Sequence, residues 1–194
     1  PTFISVAPLN MAVPQPLNPR CFSNANSAEQ VFSRGSSFSK VPSLSRASSP
    51  SSTSNPLAMI TFNSLSLPLP ALDVRTEEAW LRRVAAQHNR RLGEINYIFC
   101  NDEEILATNR QYLQHDYYTD IITFDYSAGA VLAGDLYISL DTVRTNAEML
   151  GKNYDDELHR VLVHGVLHLV GINDKGPGER EIMEAAEDAA LALR

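Results

Sequence analysis

Cysteine is scarce in this sequence, which has only Cys21 and Cys100 in 194 residues. Two distant cysteines do not make the disulfide framework of a small secreted domain, so a reducing compartment is the simpler prediction. Long apolar runs are also missing, and no uncharged stretch approaches the roughly 18 residues that span a bilayer. We therefore predict a soluble, cytoplasmic protein, or an organellar one if its N-terminal segment is a transit peptide.

Acidic residues are almost absent from residues 1–58, which contain one acidic residue, Glu29, and four basic residues, so the net charge is about +3. The segment is dense in Ser, Pro and Asn and has no sustained helical or strand period, so we expect disorder. Its composition resembles an organelle transit peptide, although it lacks a clear amphipathic helix. An upstream extension without function is the alternative. Residues 59–194 are predicted to form a single folded domain.

Strand-like and helix-like segments share residues 59–194 without strict alternation. We predict strands at 60–67, 95–102, 121–124 and 132–140, with a hairpin-like turn around SAGA between the last two. Helices are predicted from Glu77 to about Arg90 after a Thr76 cap, from Asn101 or Asp102, from an Asp141 cap to about Leu150, around 158–170, and from Glu179 to Leu193. This pattern predicts an α+β fold with a mixed sheet of about four strands and about five helices.

The stretch LHRVLVHGVLHLVGINDK, residues 158–175, contains the strongest chemical signal. His164 and His168 stand four apart on a largely apolar helix, so their side chains are neighbours and can reach one ion. Gly171 suits the left-handed position that ends a helix, and Asp174 can then turn back toward the histidines. Three ligands and an open position favour a catalytic metal, such as one Zn²⁺ or another divalent transition metal. Hydrogen-bonded core histidines and a turn-forming Asp174 are the alternatives.

Three blocks of the sequence occur in the order found in one known family. HGVLHLVGINDK, at 164–175, resembles the HGxLHLxGYDH signature of the YbeY family. TNRQYLQHDYYTDIITFDY, at 108–126, is similar to that family's LN-x3-R…TDVLSF block, and AGDLYIS, at 133–139, to its GDI-x-IS strand. The resemblance covers residues 59–194.

The resemblance implies a specific activity. It implies a metal-dependent, single-strand-specific endoribonuclease with a zincin-like metal helix. The implied role is ribosomal RNA processing, including maturation of the 3′ end of the small-subunit RNA, and ribosome quality control. The implied partners are single-stranded ribosomal RNA and the ribosome or its small subunit.

Two positions depart from the family pattern. The third metal histidine falls on Asp174, and the arginine expected to hold phosphate falls on Leu113. If phosphodiester chemistry is retained, either His115 or Lys175 would supply a replacement cation in the groove; the alternative for each is an ordinary surface residue. Asp120 matches the family's TD pair, where it would orient a ligand histidine or cap the start of a strand. The sequence does not identify the general acid or base.

Three other functions compete with RNA cleavage. A metalloprotease of the H-E-x-x-H type needs a glutamate where this helix has Gly165. Two histidines and one carboxylate are also the ligands of non-haem iron oxygenases. A ribosome-binding assembly factor with a structural metal is the third alternative.

The net negative charge of residues 59–194 does not favour RNA binding, because this part of the chain has 12 basic and 22 acidic side chains. RNA-binding domains usually present a basic surface. We predict that Arg82, Arg83, Arg90 and Arg91 lie on one half of a helix and form a local basic patch. An ordinary solvated helix face is the alternative.

Overall fold

The computed structural model describes residues 5–7, 59–114 and 116–194. The strands are β1 (Ser5–Ala7), β2 (Met59–Ser64), β3 (Arg91–Cys100), β4 (Ile121–Asp125) and β5 (Val131–Ser139). The helices are α1 (Val74–Gln87), α2 (Asp102–Thr108), α3 (Leu140–Leu150), α4 (Tyr154–Val170) and α5 (Glu179–Leu191), and a π-helical turn, Asn109–Leu113, continues α2. The predicted α+β fold is confirmed, with the four expected strands and a short fifth one.

The sheet is mixed and has the strand order β1-β4-β5-β3-β2. Strands β2, β3 and β5 are parallel, and β4 runs antiparallel to β5 across the hairpin predicted around SAGA. Strand β1 pairs in parallel with the outer edge of β4, with Ser5 beside Ile122. The unpaired backbone groups of a sheet edge accept such a strand. Ser5–Ala7 forms this short strand, and the predictions for residues 1–4 and 8–58 lie outside the described residues.

The two faces of the sheet carry separate apolar clusters. Alternate residues of β3 point to opposite faces, and Ile95, Tyr97 and Phe99 are fully buried against α1 and α4. The Tyr97 hydroxyl donates a hydrogen bond to the Leu162 carbonyl in α4, at 3.0 Å. The opposite face holds a smaller cluster of Cys100, Ile105 and Ile122 beneath α2. The larger core therefore fixes α4 against the middle of the sheet.

Helix α1 begins and ends three residues earlier than predicted. Its cap is Asp73, whose carboxylate accepts hydrogen bonds from the Thr76 backbone N–H, at 2.8 Å, and from the Thr76 hydroxyl, at 2.7 Å. Because the helix ends at Gln87, Arg90 and Arg91 do not lie on it. Arg90 instead donates to the carbonyls of Gly129 and Val170. The predicted four-arginine helix face is therefore wrong.

The other helices follow the predictions closely. Helix α3 is capped by Ser139 rather than Asp141, and it ends at a left-handed Gly151 as expected. Helix α5 packs beside α4, and the Trp80 indole N–H of α1 donates to its Ala190 carbonyl at 2.8 Å. No helix among the described residues has both the length and the apolar character to cross a membrane.

Candidate metal centre

Helix α4 places both histidines of the predicted pair in its buried half. The helix starts at an Asn153 cap, whose side chain accepts the Asp155 N–H at 2.8 Å. It ends at Gly171, where a φ of 107° suits glycine. His164 and His168 lie one turn apart and are 6% and 7% exposed. Their rings are nearly perpendicular, with centroids 4.4 Å apart.

His164 is held by a carboxylate from the last helix. Its Nδ1 lies 2.5 Å from Glu187 Oε1, and Glu187 Oε2 accepts a hydrogen bond from Arg160 Nη1 at 2.9 Å. Burial raises the pKa of the Glu187 carboxyl, but the hydrogen bonds and charges of His164 and Arg160 outweigh burial and hold that pKa below its ordinary value. An ionised Glu187 accepts a hydrogen bond from Nδ1–H of His164, and in the neutral form of that imidazole this contact leaves Nε2 as the lone-pair donor.

His168 is oriented by backbone instead of a side chain. Its Nδ1 lies 2.9 Å from the carbonyl oxygen of Ile172, in the turn that Gly171 begins. A carbonyl only accepts hydrogen bonds, so Nδ1 carries the proton and Nε2 is again the lone-pair donor. Burial, followed by the neighbouring His164, lowers the pKa of His168 to about 3, so its imidazole is neutral at physiological pH.

Both Nε2 atoms are buried and have no hydrogen-bond partner among the described residues. Buried polar atoms nearly always have a partner, so two adjacent orphans need an explanation. Asp174 Oδ1 lies 3.9 Å from Nε2 of His168. One ligand atom from each of His164, His168 and Asp174 lies within 4.8 Å of the others. Two imidazole nitrogens and a carboxylate fit a divalent transition metal such as zinc.

A cavity of about 370 Å³ opens beside His164 and Asp174. Besides His164, its ionisable lining comprises five carboxylates and three cations: Asp120, Asp174, Glu184, Glu187, Asp188, Lys152, Arg160 and Arg180. Arg160 is engaged on both sides, since it contacts Glu187 at 2.9 Å and Asp188 at 2.8 Å. The cavity therefore provides an open side from which a substrate can reach His164 and Asp174.

Asp120 lies in this cavity but does not orient either histidine. Its Oδ1 accepts the Ile121 N–H at 2.9 Å, which is the contact of a cap at the start of β4. Burial raises the pKa of Asp120 to about 6, although the charge of His164 lowers it. Of the two roles considered for Asp120, the contacts match capping, and Glu187 and the Ile172 carbonyl orient the histidines.

Lys175 and Leu113 do not line the cavity. Lys175 is exposed and outside the cavity lining, although its charge contributes to lowering the pKa of His168. Leu113 is half-buried against the cluster of Cys100, Ile105 and Ile122. His115 lies outside the described residues. Among the described residues, the cations that line the cavity are ones the sequence analysis did not single out.

Gly165 lies between the ligand positions and faces the sheet. A Cβ atom there would come within 2.0 Å of Leu136 Cδ2 and 2.7 Å of Ile121 Cδ1. Both leucine and isoleucine are fully buried. The position therefore has no room for the glutamate that the H-E-x-x-H proteases use as a general base.

Sequence reasoning missed Glu187, the main partner of His164. A signal was present, because Met183, Glu187 and Ala190 form the buried stripe of α5. A glutamate on the apolar face of an amphipathic helix is rarely buried without a partner. That position marks Glu187 as a residue that pairs with a buried cation or imidazole.

Known proteins resemble this chain over most of its length. The family model described as Endoribonuclease YbeY matches residues 71–193. A protein named Endoribonuclease YbeY from Bacteroides thetaiotaomicron is 64% identical over 135 residues, covering 70% of this chain and 98% of the relative. The protein of that name from Porphyromonas gingivalis is 47% identical over 137 residues, covering 71% and 91%.

One solved structure gives an independent likeness of fold. The solution structure of a Thermotoga maritima protein matches with a TM-score of 0.50 and 24% identity, covering 70% of this chain and 88% of the other. That identity supports a shared fold alone. The family model and the curated relatives carry the assignment: this chain belongs to the endoribonuclease YbeY family.

Proposed function

We propose that this protein is a metal-dependent endoribonuclease that hydrolyses phosphodiester bonds of single-stranded RNA. The relatives are named endoribonucleases, which supports RNA as the substrate class. The observation that carries the metal proposal is the pair of buried, unpartnered Nε2 atoms of His164 and His168 beside the Asp174 carboxylate. A bound metal ion would give both nitrogens the partner that they lack.

The chain's own residues prepare these ligands. Glu187 and the Ile172 carbonyl accept hydrogen bonds from the two Nδ1 atoms, which leaves the Nε2 atoms as the nitrogens available to a metal. Arg160 binds the second oxygen of Glu187 and holds that carboxylate in position. Asp174 contributes one negative charge against the two positive charges of a divalent ion. When bound, zinc would lower the pKa of its water from about 15.7 to about 7 and polarise a phosphoryl oxygen.

The competing functions have weaker support. Peptide hydrolysis of the H-E-x-x-H type is disfavoured because Gly165 has no room for a side chain. The ligand set alone does not separate zinc hydrolysis from non-haem iron chemistry, but the relatives' names favour a hydrolase of RNA. A ribosome-binding assembly factor with a structural metal predicts ribosome binding without cleavage.

The test measures metal and RNA cleavage in the same preparations. We expect elemental analysis of the purified protein to find about one divalent transition metal ion per chain, and zinc is the ion that we propose. Chelation should abolish cleavage of single-stranded RNA, and return of the metal should restore it. His164→Ala should lose both metal and cleavage, whereas His88→Ala, which removes the C-cap histidine of α1, should keep both.

Two results would overturn the proposal. The first is cleavage at the wild-type rate by His164→Ala protein that contains no metal. The second is wild-type protein that contains metal and cosediments with ribosomes but leaves single-stranded RNA intact, which would favour the assembly factor.

The biological role is also part of the proposal. We place the activity in ribosomal RNA processing, including the 3′ end of the small-subunit RNA, and in ribosome quality control. The expected partners are therefore ribosomal RNA and the small ribosomal subunit. Sequencing of small-subunit RNA ends from cells that lack the protein, with and without the His164→Ala form, tests this role.

A further inference from the structure

Two exposed cations of the cavity lining lack the paired contacts that occupy Arg160. Arg180, on α5, donates from Nε to Glu184 at 2.8 Å, and its side chain is 65% exposed. Its two Nη groups donate no hydrogen bond to the described residues. Lys152, just before α4, is exposed, and its ammonium group forms no ion pair with them either. Both side chains therefore have donors available at the edge of the cavity.

The charge of the cavity shows why such donors matter. Five carboxylates and three cations line it, so without a metal ion its formal charge is −2. A divalent ion at the three candidate ligands brings the total to zero. A phosphodiester anion then still needs local positive charge, and Arg180 and Lys152 are the lining cations whose donors are not already taken.

We propose that Arg180 and Lys152 form the phosphate-binding subsite of this cavity, for a phosphate of the single-stranded RNA whose scissile bond lies at His164, His168 and Asp174. The inference rests on the proposed function. A guanidinium presents parallel N–H donors that match phosphate oxygens, whereas an ammonium acts as a point charge. Glu184 holds Arg180 by Nε and leaves the Nη edge for a ligand.

This subsite accounts for the missing arginine of the second sequence block. The side chain of Leu113 packs into the apolar cluster under α2 and does not line the cavity. Position 113 therefore contributes no charge, and the lining cations with available donors are Arg180 on α5 and Lys152 in the loop before α4.

The experiment measures the affinity of the metal-loaded protein for a fluorescein-labelled single-stranded RNA with methylated 2′-hydroxyls, by anisotropy over a series of salt concentrations. The variants are Arg180→Gln and Lys152→Gln. Arg144→Gln is the matched control, because Arg144 is similarly exposed, at 60%, and also pairs with an acid one turn away, but it lies outside this cavity. Folding is checked by circular dichroism, and metal content by elemental analysis.

We expect Arg180→Gln and Lys152→Gln each to raise the Kd roughly 2- to 5-fold. Each should also reduce the slope of log affinity against log salt by about 0.7, the value for one phosphate contact on a single strand. Arg144→Gln should change neither quantity. Glu184→Gln distinguishes a phosphate-binding role of Arg180 from a structural one, because it removes the carboxylate partner of Arg180. If Arg180 binds phosphate, this variant should bind RNA as tightly as the wild type or more tightly. If Arg180 is only structural, it should lose as much RNA affinity as Arg180→Gln.

Equal Kd values and salt slopes in all variants would overturn the subsite, and so would a loss of binding in Glu184→Gln as large as that in Arg180→Gln. Cleavage of ordinary RNA by the wild type, measured in parallel, keeps the two proposals separate. If the wild type cleaves RNA and the variants bind normally, the subsite fails and the proposed function stands. If the wild type does not cleave RNA, the proposed function fails.

Discussion

Replacement of Glu187 by glutamine tests the candidate metal centre most directly. In the wild type, one carboxylate oxygen accepts from His164 Nδ1 at 2.5 Å and the other accepts from Arg160 Nη1 at 2.9 Å. Glutamine has one accepting oxygen and one donating NH₂ group. If its oxygen faces His164, its NH₂ faces the donating Arg160. If its oxygen faces Arg160, its NH₂ forces Nδ1 of His164 to accept, which places the proton on Nε2 and removes that nitrogen as a ligand.

Either orientation weakens metal binding. Loss of such an orienting partner typically costs about 10- to 100-fold in metal affinity, which corresponds to about 1.4–2.7 kcal/mol. Because Glu187 is only 6% exposed, water cannot easily replace the lost contact, so we expect the upper half of that range. The assay is competition for zinc with a chromogenic chelator at pH 7.

Asp188→Asn is the matched control for Glu187→Gln. Asp188 contacts the same arginine, at 2.8 Å, but its side chain is 70% exposed and no hydrogen bond joins it to either histidine. We expect Asp188→Asn to bind zinc within about twofold of the wild type, because exposed ion pairs contribute little. Zinc affinity of Glu187→Gln equal to that of Asp188→Asn would refute the role assigned to Glu187.

Three further predictions follow from packing, protonation and charge. Gly165→Ala should lower the free energy of unfolding, measured in urea, by about 1–2 kcal/mol. Overpacking against Leu136 and Ile121 costs about 1–3 kcal/mol or more, which exceeds the gain in helix propensity of about 1 kcal/mol. An unchanged free energy of unfolding would contradict this packing. The fold favours neutral His168, because its pKa is lowered from 6.5 to about 3, so the metal-free protein should lose stability as the pH falls below 6.5. His168→Gln should flatten that decline in denaturant titrations between pH 6.5 and 4. Parallel stability-against-pH profiles of the wild type and the variant would refute this prediction. Chelation should weaken binding of uncleavable single-stranded RNA, because the cavity without a divalent ion has a formal charge of −2. Equal RNA affinity with and without metal would show that the cavity does not bind RNA.

Local patterns in the sequence predicted the elements that hold the two histidines and the aspartate. The i, i+4 spacing of His164 and His168 and the helix stop at Gly171 are short-range features, and the structure brings Asp174 to the histidines as expected. Element ends differed by up to four residues. One such difference is at the start of β3, which begins at Arg91 instead of residue 95. Gly93 there allows close approach to the Leu132 carbonyl, beside a register shift between β3 and β5.

The partners of the candidate ligands could not be predicted in the same way. Glu187 is 23 positions after His164, and only the packing of α5 on α4 brings the two together. The acceptor for His168 is a backbone carbonyl, which every residue has, so no residue type marks it. Arg180 and Lys152 likewise reach one cavity from separate elements. Long-range packing decided these contacts, and periodicity carries no information about it.

The contact between Glu187 and His164 also orders events during translation. Both histidines lie on α4 and leave the ribosome before α5 does, so an emerging chain carries two imidazoles without the carboxylate that selects the nitrogen for binding. Trp80 of α1 and its Ala190 acceptor are similarly joined only when α5 docks. The contact that orients His164 therefore forms only after residues 179–191 have been synthesised and folded against the rest.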